Sequence, residues 1–382
     1  MLGATGPTMD QEIRGRKNMQ KLLMERILAT YRICAGESES RARAEALAAE
    51  QSVEMPVSAI RDERILEEVV ATVESIRPHA AEFEVVLGIA PATTGNEASQ
   101  LVNMLFGNCS LQPEVELVDV QLPAGYEKAF AGPRFGIAGI RTITGAHGRA
   151  LTCSALKPQG SSPQQLAALA RTFALAGLDV IKDDHGIANQ SYAPFAERVP
   201  AVQKAVTQAN QETGGSTVYA PTFSGGPRAL AEQARIAKEC GVKLALVAPM
   251  LVGLPAFVEL QVDLDIPVMA HPAFGGAARI APPLLLGKLF RLLGADATIF
   301  PNHGGRFGYS RATCAGIAAA ARDPWHGLRP TLPVPAGGMT LDRVAEMRGV
   351  YGNDTMLLIG GGLLTAGDRL LERAREFAKA VR

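Results

Sequence analysis

Two regimes of hydrophobic patterning divide this chain. Up to about Leu122, short β-branched runs are broken by single helical stretches. From about Ala150 onward, apolar runs of four or five residues alternate with longer amphipathic ones. In the first regime the pattern predicts strands over residues 27–34, 65–76, 84–90 and 114–120, with helices over 40–51 and 97–106. Strands with two interposed helices suit a small α+β unit of the split β-α-β, ferredoxin-like kind.

In the second regime strands are predicted at residues 150–154, 178–181, 216–220, 243–247, 267–270, 297–300, 332–335 and 356–359. The helices between them fall at 163–176, 195–213, 228–240, 254–262, 282–293, 310–321, 341–349 and 365–381. Eight such units in roughly 230 residues fit a (β/α)8 TIM barrel. A doubly wound sheet competes, but no G-x-G-x-x-G loop opens the first helix. A linker helix and a turn-rich connection with Gly132, Gly136 and Gly145 join the two regimes. The expected organisation is a polar tail over 1–22, an α+β N-terminal domain over 23–128 and a barrel catalytic domain over 129–382.

Composition narrows the class. Lys plus Arg and Asp plus Glu both number 38 in 382 residues, so no net field recruits nucleic acid or an anionic membrane. Apolar residues reach 47% while aromatics are 5%, the balance of a helix-rich α/β enzyme. The five cysteines, Cys34, Cys109, Cys153, Cys240 and Cys314, lack C-x-x-C spacing and read as small buried hydrophobes in a reducing cytosol. No apolar run is long enough to span a bilayer and the start lacks signal-peptide order, so a cytoplasmic protein without membrane partners is expected.

In a barrel, chemistry gathers just past the C-terminal ends of the strands. Gly177-Leu-Asp-Val-Ile-Lys-Asp-Asp-His185 pushes Lys182, Asp183, Asp184 and His185 out of an apolar strand. Adjacent carboxylates beside an imidazole suit a hard divalent cation, and the string equally suits a solvated strand end with a local ion pair. Lys157 follows the first strand, Thr222 the third and His271 the fifth, where an imidazole is placed to move a proton or contact a substrate hydroxyl. Gly337-Gly338 and Gly360-Gly361-Gly362 follow the last two strands, where bare amides receive a phosphate. After the sixth strand, Pro301-Asn-His-Gly-Gly-Arg-Phe-Gly308 reads as a lid whose Arg306 neutralises a carboxylate or phosphate on closure. His79, His147 and His326 have no such setting.

Together these motifs resemble the RuBisCO superfamily, and its RuBisCO-like (form IV) proteins more than its carboxylases, over residues 47–362. Glu50 and Asn108 match the N-domain glutamate and substrate asparagine, and Lys157-Pro158 matches the strand-1 lysine motif. Residues 177–184 match the strand-2 motif, and His271, Gly337-Gly338 and Gly360-Gly361 match the strand-5 histidine and the phosphate loops. The resemblance implies a carbamate formed from CO2 on Lys182 and Mg2+ held by Lys182, Asp184 and His185. It further implies Lys157 as proton shuttle, and a homodimer or assembly of dimers in which Glu50 and Asn108 reach a partner's substrate.

Departures from the carboxylases are His185 where they have a metal-binding glutamate, Gln159 for the second strand-1 lysine, Arg306 for the lid lysine, and Met55-Pro56 for a Thr-Trp pair. CO2 fixation is therefore not expected. The string and lid look most like the group acting on 3-oxo-isoapionate 4-phosphate. The leading expectation is a metal-dependent carboxy-lyase or C–C hydrolase of a branched β-keto acid sugar phosphate, with Arg306 over the carboxylate. The alternatives are an enolase or isomerase of a methylthio-ketose phosphate in methionine salvage, with Met250, Leu251 and Phe274 near the mouth, and a non-catalytic sugar-phosphate-binding barrel.

Overall fold

The computed structural model describes residues 25–382, so the tail expected over 1–22 lies outside the described residues. The chain divides into two compact units, one running through Ala129 and including Ala278–Ala281, the other made of Phe130–Ala277 and Pro282–Arg382.

The first unit is a β-α-β-β-α-β sandwich: β1 (Ile27–Ile33), the helix Ser40–Glu50, β2 (Thr72–His79), β3 (Glu82–Ile89), the helix Ala98–Phe106 and β4 (Val115–Gln121). The sheet order is β2-β3-β1-β4 with antiparallel neighbours, the ferredoxin-like arrangement. In β1 alternate residues Ile27, Ala29, Tyr31 and Ile33 are buried, the period of a strand with one face on a core. The strand predicted from residue 65 begins only at Thr72, because Ile65–Val69 forms a helical turn. Its carbonyls have a partner: buried Arg26 donates to Glu67 O at 2.7 Å and to Val70 O at 2.8 Å.

The second unit is a barrel of parallel strands: β5 (Leu151–Leu156), β6 (Val180–Asp183), β7 (Val218–Ala220) with its continuation β8 (Thr222–Phe223), β9 (Ala245–Val247), β10 (Val268–Ala270), β11 (Ala297–Pro301), β12 (Leu332–Ala336) and β13 (Met356–Leu358). These strands are buried on both faces, as parallel strands flanked by helices must be. Leu151, Cys153, Val180, Leu246, Met269 and Met356 meet in the central core. Buried carboxylates brace the strand starts. Asp179 accepts both Arg149 nitrogens at 2.7 and 2.8 Å and the Thr152 N–H at 2.8 Å, and Asp296 accepts N–H groups of Phe135, Gly136 and Val268.

Three local expectations change. Residues 136–144, read as a turn-rich connection, form the helix Gly136–Thr144, started at the Asp296 carboxylate and packing Ile137 and Ile140 into the barrel core. The final helix begins only at Leu370, since Gly367 takes a left-handed φ of +55° that interrupts it. Of the cysteines, Cys109, Cys153 and Cys314 are buried as expected, whereas Cys34 is exposed and Cys240 half-buried.

Candidate active site

The registration of β5 with β6 sets the site. The ladder pairs Ala155 with Lys182 and Leu156 with Asp183, so the strand runs past the expected residue 181 and Lys182 stands in the wall. Its ammonium nitrogen is buried and donates to Asp183 O at 2.9 Å, and burial lowers its pKa. A lowered pKa supplies the neutral amine that CO2 requires to form a carbamate.

Asp183 and Asp184 are adjacent but do different jobs. The fully buried Asp183 carboxylate accepts Arg198 Nε at 3.1 Å, Tyr219 OH at 2.8 Å and Thr222 N–H at 3.0 Å, so its oxygens are committed to the scaffold. Asp184 follows the strand end and faces Lys157, whose Nζ lies 2.6 Å from Oδ1. Burial alone would raise the Asp184 carboxyl, but hydrogen bonds from His185 and Lys157 and the Lys182 charge hold it well below the usual carboxylate range. Thr222 Oγ1 donates to Asp184 O at 3.2 Å and fixes the backbone there.

His185 is exposed, with Nδ1 3.6 Å from Asp184 Oδ1, and its ring stacks on His271 at 4.1 Å between centroids and 12° between planes. Burial, aided by the Lys182 charge, lowers the His271 pKa to about 2. Its Nδ1 accepts the Ala273 N–H at 3.1 Å, which places the proton of the neutral ring on Nε2. His271 is thereby a hydrogen-bond donor through Nε2.

The glycine loop after β13 lies beside Lys157. A Cβ on Gly360 would come 3.9 Å from Lys157 Cε, whereas one on Gly361 would meet open space. Gly337 and Gly338 hold φ of +82° and +98°. Here the glycines also answer to packing: Arg306 N–H donates to Gly337 O at 2.9 Å, and a Cβ on Gly338 would lie 2.9 Å from Arg306 N. Exposed Arg306 carries its guanidinium 5.5 Å from the Phe307 ring centre. Asn302, placed with the lid in sequence, is instead buried, donating to the Met339 and Met347 sulfurs and accepting Tyr351 OH at 2.6 Å. His303 pairs with Glu346 at 3.1 Å, and Arg343 donates to His303 O. The lid is tied to the segment after β12.

Within the first unit, Asn108 Nδ2 donates to Glu50 Oε1 at 2.9 Å and to Glu54 Oε1 at 3.3 Å, so these two predicted residues meet each other. Sequence reasoning missed Arg198 and Tyr219. Arg198 left a readable trace, since it interrupts the buried stripe Phe195, Val199, Val202, Val206 of its helix.

Among the described residues no three His, Cys, Asp or Glu side chains converge as a ready metal cage. Asp184 and His185 offer one carboxylate and one imidazole, and the set suits a divalent cation once Lys182 carries a carbamate as third, anionic ligand.

Residues 136–281 match the family described as ribulose bisphosphate carboxylase large chain, catalytic domain. The chain is 52% identical to ribulose bisphosphate carboxylase-like protein 1 of Rhodopseudomonas palustris, over 94% of this chain and 98% of that one. It belongs to the RuBisCO-like proteins. A crystal structure of a RuBisCO-like protein from Rhodopseudomonas palustris superposes with a TM-score of 0.88 at 51% identity, covering 94% of this chain and 97% of that one. Another relative, 52% identical over 94% of this chain and 97% of its own, is named 5-methylthioribulose-1-phosphate isomerase, from Rhodospirillum rubrum.

Proposed function

We propose that the protein isomerises a methylthio-ketose phosphate of the 5-methylthioribulose 1-phosphate type, taking a proton from the carbon next to the carbonyl and returning it to the former carbonyl carbon while the hydroxyl proton passes to the other oxygen. The observation that carries this reading is the Lys157–Asp184 pair at 2.6 Å, beside a neutral His271 that donates from Nε2. The methylthio substrate comes from the 52% identical relative's name. Neither of the 52% identical relatives is named for decarboxylation, so the branched β-keto acid reading yields to the alternative.

Isomerisation needs a group to take a proton from carbon, a donor for the developing enolate oxygen and an anchor for the phosphate. Lys157, as its amine, takes the proton and returns it, 2.6 Å from the Asp184 carboxylate. His271 donates to the enolate oxygen, while the Gly360-Gly361 and Gly337-Gly338 amides receive the phosphate. Arg306 closes over the anionic end. Lys182 as its carbamate, Asp184 and His185 would hold Mg2+, which when bound supplies positive charge to the carbonyl oxygen. Glu50 and Asn108 would approach the substrate from a second subunit of a dimer.

The test is proton NMR of purified protein with 5-methylthioribulose 1-phosphate, Mg2+ and bicarbonate in deuterated water. Deuterium should enter the carbon next to the carbonyl and an isomer should accumulate. Absence of both, with release of CO2 from 3-oxo-isoapionate 4-phosphate by the same preparation, would overturn the assignment in favour of the lyase.

A further inference from the structure

The barrel mouth is divided by chemistry. Charged groups stand past β5 and β6, and glycine amides past β12 and β13. Two large apolar side chains stand exposed past the neighbouring strands β9 and β10: Leu251, 56% exposed on the turn Pro249–Val252, and Phe274, 64% exposed. Phe307 is exposed too, but its ring lies over Gly337, where an added Cβ would come 3.0 Å from it, and under Arg306, which accounts for it. Among the described residues nothing comparable accounts for Phe274.

Phe274 also holds a left-handed φ of +65°, a conformation that a bulky side chain adopts only when its surroundings enforce it. Two successive turns do so: Gly275 N–H donates to Pro272 O at 2.9 Å and Ala277 N–H to Phe274 O at 3.1 Å. The same loop is pinned to the reacting cluster, because Ala273 N–H binds His271 Nδ1 and His271 stacks on His185. The strain thus presents an aromatic ring at a set place three residues from the imidazole.

We propose that Phe274, with Leu251 on the loop after the neighbouring strand, forms the subsite for the apolar end of the substrate, a thioether methyl group, and so determines specificity for methylthio-sugars over unsubstituted ones. The inference rests on the proposed isomerase reading and names the residues that select its substrate. A phosphorylated chain would then lie across the mouth, phosphate at the β12 and β13 loops, reacting carbons over Lys157 and Asp184, sulfur against the ring. Thioether sulfur packs favourably at aromatic faces and edges.

The experiment is calorimetric titration of two unreactive polyols, 5-methylthioribitol 1-phosphate and ribitol 1-phosphate, into wild type, Phe274→Ala, Phe274→Leu and Leu251→Ala, with turnover of 5-methylthioribulose 1-phosphate and ribulose 1-phosphate in parallel. Wild type should bind the methylthio polyol about tenfold more tightly, the usual yield of one small apolar group in a matching pocket. Phe274→Ala should erase that ratio without weakening ribitol 1-phosphate, Phe274→Leu should restore part of it, and in turnover the loss should fall on KM. A ratio unchanged in Phe274→Ala, or equal loss for both ligands, overturns the subsite. A change of oligomeric state in sedimentation overturns it in favour of a subunit contact. If wild type turns over neither ketose yet keeps the binding ratio, the isomerase reading fails and the subsite stands.

Discussion

Lys157 and Lys182 are two lysines of one site with opposite environments. Lys157 is a third exposed and ion-paired, whereas Lys182 is buried and hydrogen-bonded to a carbonyl. Lys157→Met should lower the rate of deuterium exchange by roughly 10²–10⁴-fold, the range of a lost general acid–base group, with unfolding by urea little changed. His271 carries a pH signature in the metal-free protein. Its folded pKa is lowered to about 2 from 6.5, so below 6.5 the unfolded chain takes a proton that the folded ring refuses. Stability therefore falls as pH drops through that range, by up to about 1.4 kcal/mol per pH unit, and is untouched above it. Urea unfolding in a chelator should show that slope in wild type and lose it in His271→Gln.

At the scale of elements, the end of β6 is bracketed from behind. Arg198, in the helix Phe195–Thr213, joins Asp183 to the following loop, donating also to Ala193 O at 2.6 Å and Ala188 O at 2.8 Å. Both partners of this pair are fully buried. Arg198→Met leaves the Asp183 charge unpaired and should cost about 3–5 kcal/mol in urea unfolding. The lid has a similar anchor. Tyr351→Phe removes the donor to buried Asn302 Oδ1 and should cost about 1–3 kcal/mol, with a higher KM for the phosphorylated substrate as the lid loosens.

At the scale of the whole molecule, the proposed dimer, with Glu50 and Asn108 serving the partner's barrel, is open to a complementation test. Asn108→Ala and Lys157→Met should each be inactive alone, and co-refolded mixtures should regain activity through hybrids with one intact site. Mixtures that stay inactive would place Asn108 outside the partner's site. The alternation of apolar strands and amphipathic helices determined the barrel without any tertiary information, since a strand buried on both faces and a helix with one apolar face leave few packings. The ferredoxin-like order of the first unit and the clustering of Lys157, Lys182, Asp184, His185 and His271 at strand ends were legible for the same reason. Pattern did not separate the neighbours Asp183 and Asp184. Which carboxylate is locked into the scaffold and which faces Lys157 depends on Arg198, Tyr219 and Thr222, brought from 15 to 39 residues away by the winding of the barrel. The tautomer of His271, the anchoring of Asn302 away from the lid and the strained display of Phe274 are likewise decisions of tertiary structure, because each rests on a hydrogen bond or backbone angle that local sequence leaves open.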